Sequence, residues 1–293
     1  MVALPARIAE VGGLTIRRAF PRRGLRTVGP WCFADHFGPE VITPERGLDV
    51  GPHPHIGLRT VTWLLDGAVT HRDSLGSDQL IRPGQLNLMT AGNGVVHAEQ
   101  ADRIPGSTLH GLQLWVAQHD TTRHGAATFA HHSNLPQIDL HNGQATVFIG
   151  EFGGALSPAD VTENLLGMDL ELGAGTAVLP IRPDWEYAVY VVSGEVTVTG
   201  AHLNTGASAG ELVPVATGLS EVTFTTQQAT RLLVLGGAPL AEALFMWWNF
   251  VGRSRAEVAQ ALADWANFRN HGDDTRFGRV ETDLPSIPAP ALP

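Results

Sequence analysis

Short runs of alternating apolar and polar residues dominate the chain from its start to about residue 240. Such a two-residue alternation places one face of a β-strand against a core and leaves the other face outside. Glycine and proline, at 33 and 19 residues, separate the runs. The pattern predicts an all-β sandwich or barrel and disfavours a parallel α/β sheet. Dipeptides typical of hairpin turns lie between alternating segments at Asp66-Gly67, Asn93-Gly94, Asn142-Gly143 and Ser193-Gly194.

A single clear helix is predicted late in the chain, in the segment SRAEVAQALADWANF. Ser254 with Glu257 three positions later matches a capping box, in which the serine oxygen accepts from a free backbone N–H. Val258, Leu262 and Trp265 recur at helical spacing and form one apolar stripe, which we expect to pack against a β core. The final residues, DLPSIPAPALP, are proline-rich and predicted to be extended, with no functional residue among them.

The middle of the chain contains a weak internal repeat. The segment beginning LLDGAVTH can be laid against the one beginning VVSGEVTV, with Gly67 and Gly194 lying 127 positions apart and Gly84 and Gly210 lying 126 apart. A repeat of this length indicates two tandem copies of one β-barrel domain. We therefore expect a first barrel over residues 1–130, a second over residues 131–240, and the helix with its tail over residues 241–293.

Composition and charge narrow the function. The 293 residues are 43% apolar and 16% charged, with a net charge of −10 and no long basic run, so nucleic acid is not an expected partner. No apolar stretch is long enough for a membrane span, and the N-terminus lacks the features of a signal peptide. The lone cysteine, Cys32, suits a reducing cytoplasm. All 19 basic residues are arginine, which excludes a lysine Schiff base and a Walker-type phosphate loop.

Two pairs of potential metal ligands have the spacing of neighbours on a strand face. His53 and His55 in GPHPHIG project to one side, and His97 and Glu99 in VVHAEQ repeat the arrangement after the turn AGNG. If the two strands are adjacent, three imidazoles and one carboxylate converge, and burying them without a partner would be costly. A divalent metal would remove that cost, and this donor set suits Fe(II), Mn, Ni, Cu or Zn. Four ligands on an octahedral ion leave two positions for substrate and dioxygen.

Several of these segments resemble the pirin family. They are GPWCFADHFGP, HPHIGLRTVTWLLDG, HRDSLGSDQLIRPGQLNLMTAGNGVVHAEQ, HGLQLW and NFVGRSRAEV, so that the resemblance extends over about residues 10–270. It implies an all-β fold of two tandem cupin (jelly-roll-like) barrels with a C-terminal helix. It also implies iron in the first barrel alone, held at the positions of His53, His55, His97 and Glu99.

The resemblance further implies quercetin 2,3-dioxygenase activity, with a flavonol-like substrate and dioxygen as reactants. In that reading Glu99 is both a metal ligand and the general base that accepts the proton of a substrate hydroxyl. The alternative is a metal- and redox-dependent regulatory protein that binds a protein partner, since family members are also described as regulators. A metal-dependent sugar isomerase would require an arginine cluster for phosphate, which the sequence does not show.

One position departs from the family pattern. Where pirins commonly carry glutamate after the histidine pair, this chain has Arg59, which strand parity would place on the face of His55. A guanidinium close to a divalent cation is repelled, so we expect an irregularity at Gly57 or an acidic partner for the arginine.

The second copy lacks ligands at the corresponding positions. The repeat offsets carry the four predicted metal ligands onto positions near Pro180, Arg182, Thr223 and Thr225, none of which is a good ligand for a transition metal. The second barrel is therefore predicted to be a scaffold.

Four residues near these motifs allow two interpretations each. His71 and Asp73 could support a ligand histidine by accepting its second N–H, or they could lie in a solvated turn. Gln113 and Trp115 share a strand face and could line the pocket, although core packing is the favoured role.

Five further residues are interpreted as structural. Asp35 and His36 are expected to tie a loop, and His131 and His132 to lie on the surface. Ser208 in GASAG matches a hydrolase nucleophile motif, but the strand-like ELVPVATG that follows it disfavours the required helix.

Overall fold

The computed structural model describes residues 2–43, 47–104, 106–272 and 276–293. Nearly all regular structure is β. The first strands are β1 (Leu4–Pro5), β2 (Arg7–Val11), β3 (Leu14–Phe20), β4 (Trp31–Val41), β5 (Asp49–His55), β6 (Leu58–Asp66), β7 (Val69–Asp73), β8 (Asp78–Ile81), β9 (Leu86–Thr90), β10 (Val95–Ala101), β11 (Thr108–Ala117) and β12 (Thr128–His132).

The second half repeats this density of strands and ends in a helix. Its strands are β13 (Gln137–Leu140), β14 (Gly143–Ile149), β15 (Glu151–Phe152), β16 (Ala155–Leu156), β17 (Leu165–Leu172), β18 (Gly175–Pro180), β19 (Glu186–Ser193), β20 (Glu195–Gly200), β21 (Leu203–Ser208), β22 (Glu211–Val215), β23 (Glu221–Thr226), β24 (Thr230–Gly237), β25 (Phe245–Trp247) and β26 (Phe250–Gly252). Helix α1 (Arg255–His271) follows. Each predicted turn dipeptide connects two consecutive strands.

The chain forms two compact units. One comprises residues 1–8, 17–36 and 134–240, and the other comprises residues 9–16, 37–133 and 241–293. The sheets of the unit that contains residues 37–133 are called the first barrel. The sheets of the unit that contains residues 134–240 are called the second barrel. The predicted helix and tail thus belong to the unit of the first barrel.

The two barrels share one strand order, which confirms the internal repeat. In the first barrel a four-stranded sheet runs β5-β10-β7-β8 and a larger sheet contains β9-β6-β11; in the second the orders are β18-β23-β20-β21 and β22-β19-β24. The paired turn glycines also agree in conformation. Gly67 and Gly194 have φ of 81° and 79°, and Gly84 and Gly210 have 78° and 86°, values that residues with a Cβ rarely adopt.

Helix α1 begins and ends as its sequence predicts. Ser254 is the N-cap, and its side chain accepts from the backbone N–H of Glu257 at 3.2 Å. The Glu257 carboxylate accepts from the backbone N–H of Arg253 at 2.8 Å. Val258 and Trp265 are fully buried in a cluster with strand β26, so the predicted apolar stripe is the packing face. Among the described residues, no helix is both long and apolar enough to cross a membrane.

The interior of the second barrel is filled by apolar side chains. Ala177, Leu179, Val222 and Phe224 are all at most 2% exposed and belong to one core cluster. The four positions that the repeat offsets gave do not face this interior: two of them are exposed and the other two alternate with buried neighbours along β23. The packed apolar interior agrees with a scaffold role for this barrel.

Candidate metal centre

Strands β5 and β10 of the first barrel bring three histidines together. The strands pair antiparallel with His97 opposite His53, and the register shifts between His97 and Glu99. Strand β5 is the edge strand of its sheet, which is why it tolerates Pro52 and Pro54, two residues without a backbone N–H. Possible ligand atoms of the three histidines, His53, His55 and His97, lie within 4.8 Å of one another.

Backbone carbonyls orient two of the three imidazoles. His53 Nδ1 lies 2.9 Å from the carbonyl oxygen of Gly51, and His55 Nδ1 lies 3.0 Å from that of Asn249. A carbonyl only accepts, so each Nδ1 carries the proton and donates it. Both Nε2 atoms therefore keep a free lone pair, which is the form that a metal binds.

Two side chains on strand β7 orient the third imidazole. His97 Nδ1 lies 3.3 Å from His71 Nδ1, and His71 Nε2 lies 3.0 Å from a carboxylate oxygen of Asp73. His71 and Asp73 are 2% and 3% exposed, so the interpretation as a solvated turn is wrong, and both side chains lie buried beside His97. The His71 ring also stacks on Phe129, with ring centroids 4.4 Å apart.

The donor set fits a metal ion. His55 Nε2 and His97 Nε2 are 3.0 Å apart, and the ring centroids of His53 and His97 are 4.3 Å apart. The three imidazoles are packed together in a buried space, where nitrogen lone pairs that face one another repel unless a cation lies between them. Neutral imidazoles of this kind are the usual ligands of transition metals.

Glu99 lies beside the histidines, on the side of His71. Its carboxylate forms a second group with His97 and His71, again with ligand atoms within 4.8 Å of one another. The Thr62 hydroxyl lies 3.3 Å from Glu99 Oε1 and 3.1 Å from Gln113 Oε1. His97 belongs to both groups, whereas Glu99 is grouped with His97 and His71 and not with His53 and His55.

Burial controls the protonation of the cluster. Removal from water lowers the pKa of His53 to about 4 and lowers the pKa of His55 and of His97 well below 6.5, with the neighbouring histidines adding to the effect. Burial also raises the pKa of Glu99, although His71 and the Thr62 hydroxyl act against this. At neutral pH the histidines are thus neutral, and the carboxylate is a stronger base than an exposed glutamate.

The chain turns away from the metal centre at Gly57. Strand β5 ends at His55 and strand β6 begins at Leu58. Between them Gly57 has a φ of 65°, and it lies so close to the backbone of Val251 that a Cβ atom would be 2.1 Å from the Val251 carbonyl oxygen. This is the irregularity that the sequence predicted. Arg59 and Thr62 then point to different faces of strand β6. The Arg59 guanidinium donates to the Thr90 hydroxyl.

Polar and aromatic side chains form the wall that faces the histidines. Trp115 meets His55 edge to face at 5.2 Å, and Gln113 accepts from Thr62, so both line the site, although their sequence favoured core packing. Asn87, opposite Thr62 in the register of β6 and β9, accepts from His131 at 2.8 Å. His131 is half-buried, so it remains partly at the surface as predicted while its ring bonds to Asn87 at the edge of this wall.

The sequence did not identify Thr62, Asn87 or Phe129 as site residues. Their place depends on the register between β6, β9 and β12, which pairs Thr62 with Asn87 and Asn87 with His131. Only the alternation along each strand, once its partner is known, reveals that these side chains share the inner face.

Two other interpretations can be compared with the structure. Asp35 is buried and forms a bidentate pair with Arg18, and His36 Nδ1 lies 2.9 Å from the Tyr190 hydroxyl. Both residues lie within strand β4, so their roles are structural but the prediction that they tie a loop is wrong. Ser208 is the exposed last residue of β21 and is followed by strand β22 rather than by a helix, so the hydrolase motif is a chance match.

Comparison with known proteins identifies relatives of this chain. The family model described as pirin matches residues 13–116, and that of the pirin C-terminal cupin domain matches residues 167–271. The chain belongs to the pirin family. The two matched segments contain most of the strands of the first and second barrels, which confirms the resemblance and the two-cupin fold.

Individual relatives cover almost the whole chain. A Pseudomonas aeruginosa protein provisionally named quercetin 2,3-dioxygenase is 41% identical, over 98% of this chain and 89% of the relative. A pirin-like protein of Caulobacter vibrioides is 37% identical, over 89% of this chain and 91% of the relative.

Solved structures agree with this assignment. A crystal structure of quercetin 2,3-dioxygenase from Acinetobacter baumannii superposes with a TM-score of 0.92 at 39% identity, covering 99% of this chain and 95% of that one. The bacterial pirin YhhW of Escherichia coli, solved in complex with nickel(II), superposes with a TM-score of 0.63 at 20% identity, covering 80% of this chain and 96% of that one. At that identity the similarity shows the fold alone.

Proposed function

We propose that this pirin is a mononuclear non-haem iron dioxygenase that cleaves flavonols such as quercetin. The observation that carries the proposal is the meeting of three imidazole lone pairs beside a buried carboxylate with a raised pKa. The related proteins named quercetin 2,3-dioxygenase support the choice of reaction. The metal is proposed to be Fe(II), held by His53, His55, His97 and Glu99.

A bound ferrous ion would supply a coordination site and redox chemistry for dioxygen and an electron-rich substrate. In the reaction both atoms of dioxygen enter the flavonol, and one ring carbon leaves as carbon monoxide while a depside remains. The chain's own task is to remove one proton and to hold the substrate in position.

Glu99 is the proposed general base. Burial raises the pKa of its carboxyl group in the metal-free protein, and a carboxylate oxygen that does not hold the metal would accept the proton of a substrate hydroxyl. The hydroxyl of Thr62 lies 3.3 Å from Glu99 Oε1 and holds the carboxylate in place. Loss of the hydroxyl proton makes the substrate electron-rich, which is the form that reacts with dioxygen.

The wall opposite the histidines is proposed to orient the substrate. The side-chain nitrogens Asn87 Nδ2 and Gln113 Nε2 are buried and donate no hydrogen bond within the described part of the chain. A carbonyl or hydroxyl oxygen of a flavonol would satisfy them. Trp115 and Phe129 supply flat apolar surfaces beside them, which suits a planar aromatic substrate.

An aerobic and anaerobic pair of assays tests the proposal. Iron-loaded protein should consume quercetin only with dioxygen, seen as loss of the flavonol absorbance together with release of carbon monoxide. A His53→Ala variant should lose this activity, while His202→Ala, an exposed position in the second barrel, should retain it. Absence of oxygen-dependent flavonol loss with fully loaded protein would refute the proposed reaction.

A further inference from the structure

Asp73 is held rigidly by the turn that follows strand β7. Its Oδ1 atom accepts from the backbone N–H groups of Leu75 at 2.9 Å and Ser77 at 3.1 Å. Its Oδ2 atom is 3.0 Å from His71 Nε2. Burial alone would raise the pKa of Asp73, but the hydrogen bonds from His71 and Ser77 lower it below its ordinary value. The carboxylate is thus ionised at neutral pH and can only accept.

An ionised Asp73 determines the proton positions on two histidines in turn. Because the carboxylate accepts, His71 carries a proton on Nε2, and a neutral His71 ring then has its lone pair on Nδ1. That lone pair faces His97 Nδ1 at 3.3 Å, so His97 carries its proton on Nδ1. Its Nε2 lone pair is then free and directed toward His55.

The opposite arrangement would remove a ligand. If His97 were protonated on Nε2, its Nδ1 lone pair would oppose the lone pair of His71 Nδ1, and its N–H would occupy the space between the three Nε2 atoms. His53 and His55 face backbone carbonyls, which no substitution changes. Of the three imidazoles, His97 is the one whose tautomer depends on other side chains.

We propose that Asp73 and His71 are positioning residues that set the tautomer of His97 and thereby prepare the metal site. The stacking of His71 on Phe129 keeps its ring in the orientation that this relay requires. This inference rests on the metal site of the proposed function, and it assigns a role to two side chains that do not themselves hold the metal there.

Asp73→Asn is the decisive variant. Its amide oxygen would stay with the two backbone donors, so the amide NH₂ would face His71 Nε2 and force the His71 proton onto Nδ1. His97 would then accept at Nδ1 and carry its proton on Nε2. Asp78→Asn is the matched control, because Asp78 is exposed on the neighbouring strand β8 and pairs with Arg72.

Two measurements on folded protein give the test. Nitrogen-15 NMR of the metal-free protein should show His97 protonated on Nδ1 in the wild type and in Asp78→Asn, and on Nε2 in Asp73→Asn. Titration with Co(II), followed by its visible absorption, should show affinity reduced by roughly 10- to 100-fold in Asp73→Asn alone. Unchanged tautomer and unchanged Co(II) affinity in Asp73→Asn would overturn the inference.

A second variant keeps the inference testable if Asp73→Asn does not fold. His71→Phe retains the ring stacked on Phe129 and removes the acceptor, so His97 should populate both tautomers and bind Co(II) more weakly. A His97 wholly protonated on Nδ1 with wild-type affinity would overturn the inference. Failure of the wild type itself to bind Co(II) would instead refute the metal site of the proposed function, and the NMR result would still decide the tautomer.

Discussion

His55 and His97 face each other from neighbouring strands with their Nε2 atoms 3.0 Å apart. The Nδ1 atom of His55 donates to the Asn249 carbonyl, and that of His97 meets His71, so both facing nitrogens are available as ligands. Two nitrogen lone pairs at this distance repel each other, and a cation bound by both of them would replace the repulsion with two coordinate bonds. Metal binding should therefore stabilise the fold, because the unfolded chain does not hold the ligands together.

Removal of one ligand should abolish this stabilisation. We expect Ni(II) to raise the melting temperature of the wild type by several degrees and to leave that of His55→Ala almost unchanged. His202→Ala, an exposed histidine in the second barrel, should respond like the wild type. An equal rise in all three proteins, measured by thermal unfolding, would show that the ion binds elsewhere.

Glu99→Gln should separate metal binding from proton transfer. The amide keeps the shape of the side chain and can still accept from Thr62, but it cannot take a proton. We expect kcat for flavonol loss to fall by about 10²- to 10⁴-fold, the usual contribution of a general base. The metal content of the purified variant should be measured alongside, and a variant that retains both metal and full kcat would remove Glu99 from this role.

Asn87→Ala should weaken substrate binding more than it slows the reaction. Among the described residues the Asn87 side-chain nitrogen is buried without a hydrogen-bond partner, and a substrate oxygen would supply one. Loss of one such hydrogen bond corresponds to a KM increase of roughly tenfold, with kcat much less affected. Asn204→Ala, at an exposed position on β21, is the control and should leave KM unchanged. A wild-type KM in Asn87→Ala would exclude this contact.

The metal-free protein should lose stability as the pH falls below about 6.5. Burial lowers the pKa of His53 to about 4 and those of His55 and His97 well below 6.5, so the unfolded chain binds more protons than the native protein over that window. For His53 alone the loss is on the order of 3 kcal/mol once the pH has fallen to about 4. Glu99 acts in the opposite direction, since burial raises its pKa and its ionisation costs stability as the pH rises.

The effect of the three histidines is larger than that of the one carboxylate. The net free energy of unfolding should therefore decrease as the pH is lowered. Urea unfolding of the metal-free protein at several pH values between 7.5 and 5 measures it. A free energy of unfolding that stays constant over this range would contradict the buried, neutral state of the histidines. His53→Gln should reduce the slope, because it removes one of the groups that bind protons on unfolding.

The sequence predicted most of the fold, because the signals that determine it are local. The two-residue alternation, the turn glycines and the cap at Ser254 each depend on neighbours in the chain, and each appears in the structure as predicted. The repeat was also visible, since Gly67 and Gly194 need the same left-handed conformation in the same turn. The domain boundaries at residues 130 and 240 stay a prediction.

The candidate site was only partly predictable for a physical reason. His53 and His55, or His97 and Glu99, share a face by strand parity alone, whereas Asn87 reaches the site through the pairing of β9 with β6. His71 and Asp73 show the same spacing as the ligands, and parity could not tell whether their shared face was buried. The regulatory alternative, in which the affinity for a protein partner depends on the oxidation state of the metal, also stays a prediction.

The position of the bound metal tests the central claim most directly. Crystals of protein loaded with Fe(II), measured at the iron absorption edge, should give one strong anomalous peak in the first barrel, bonded to Nε2 of His53, His55 and His97. A peak at another place in the chain, or no peak from protein that has been fully loaded, would contradict the account.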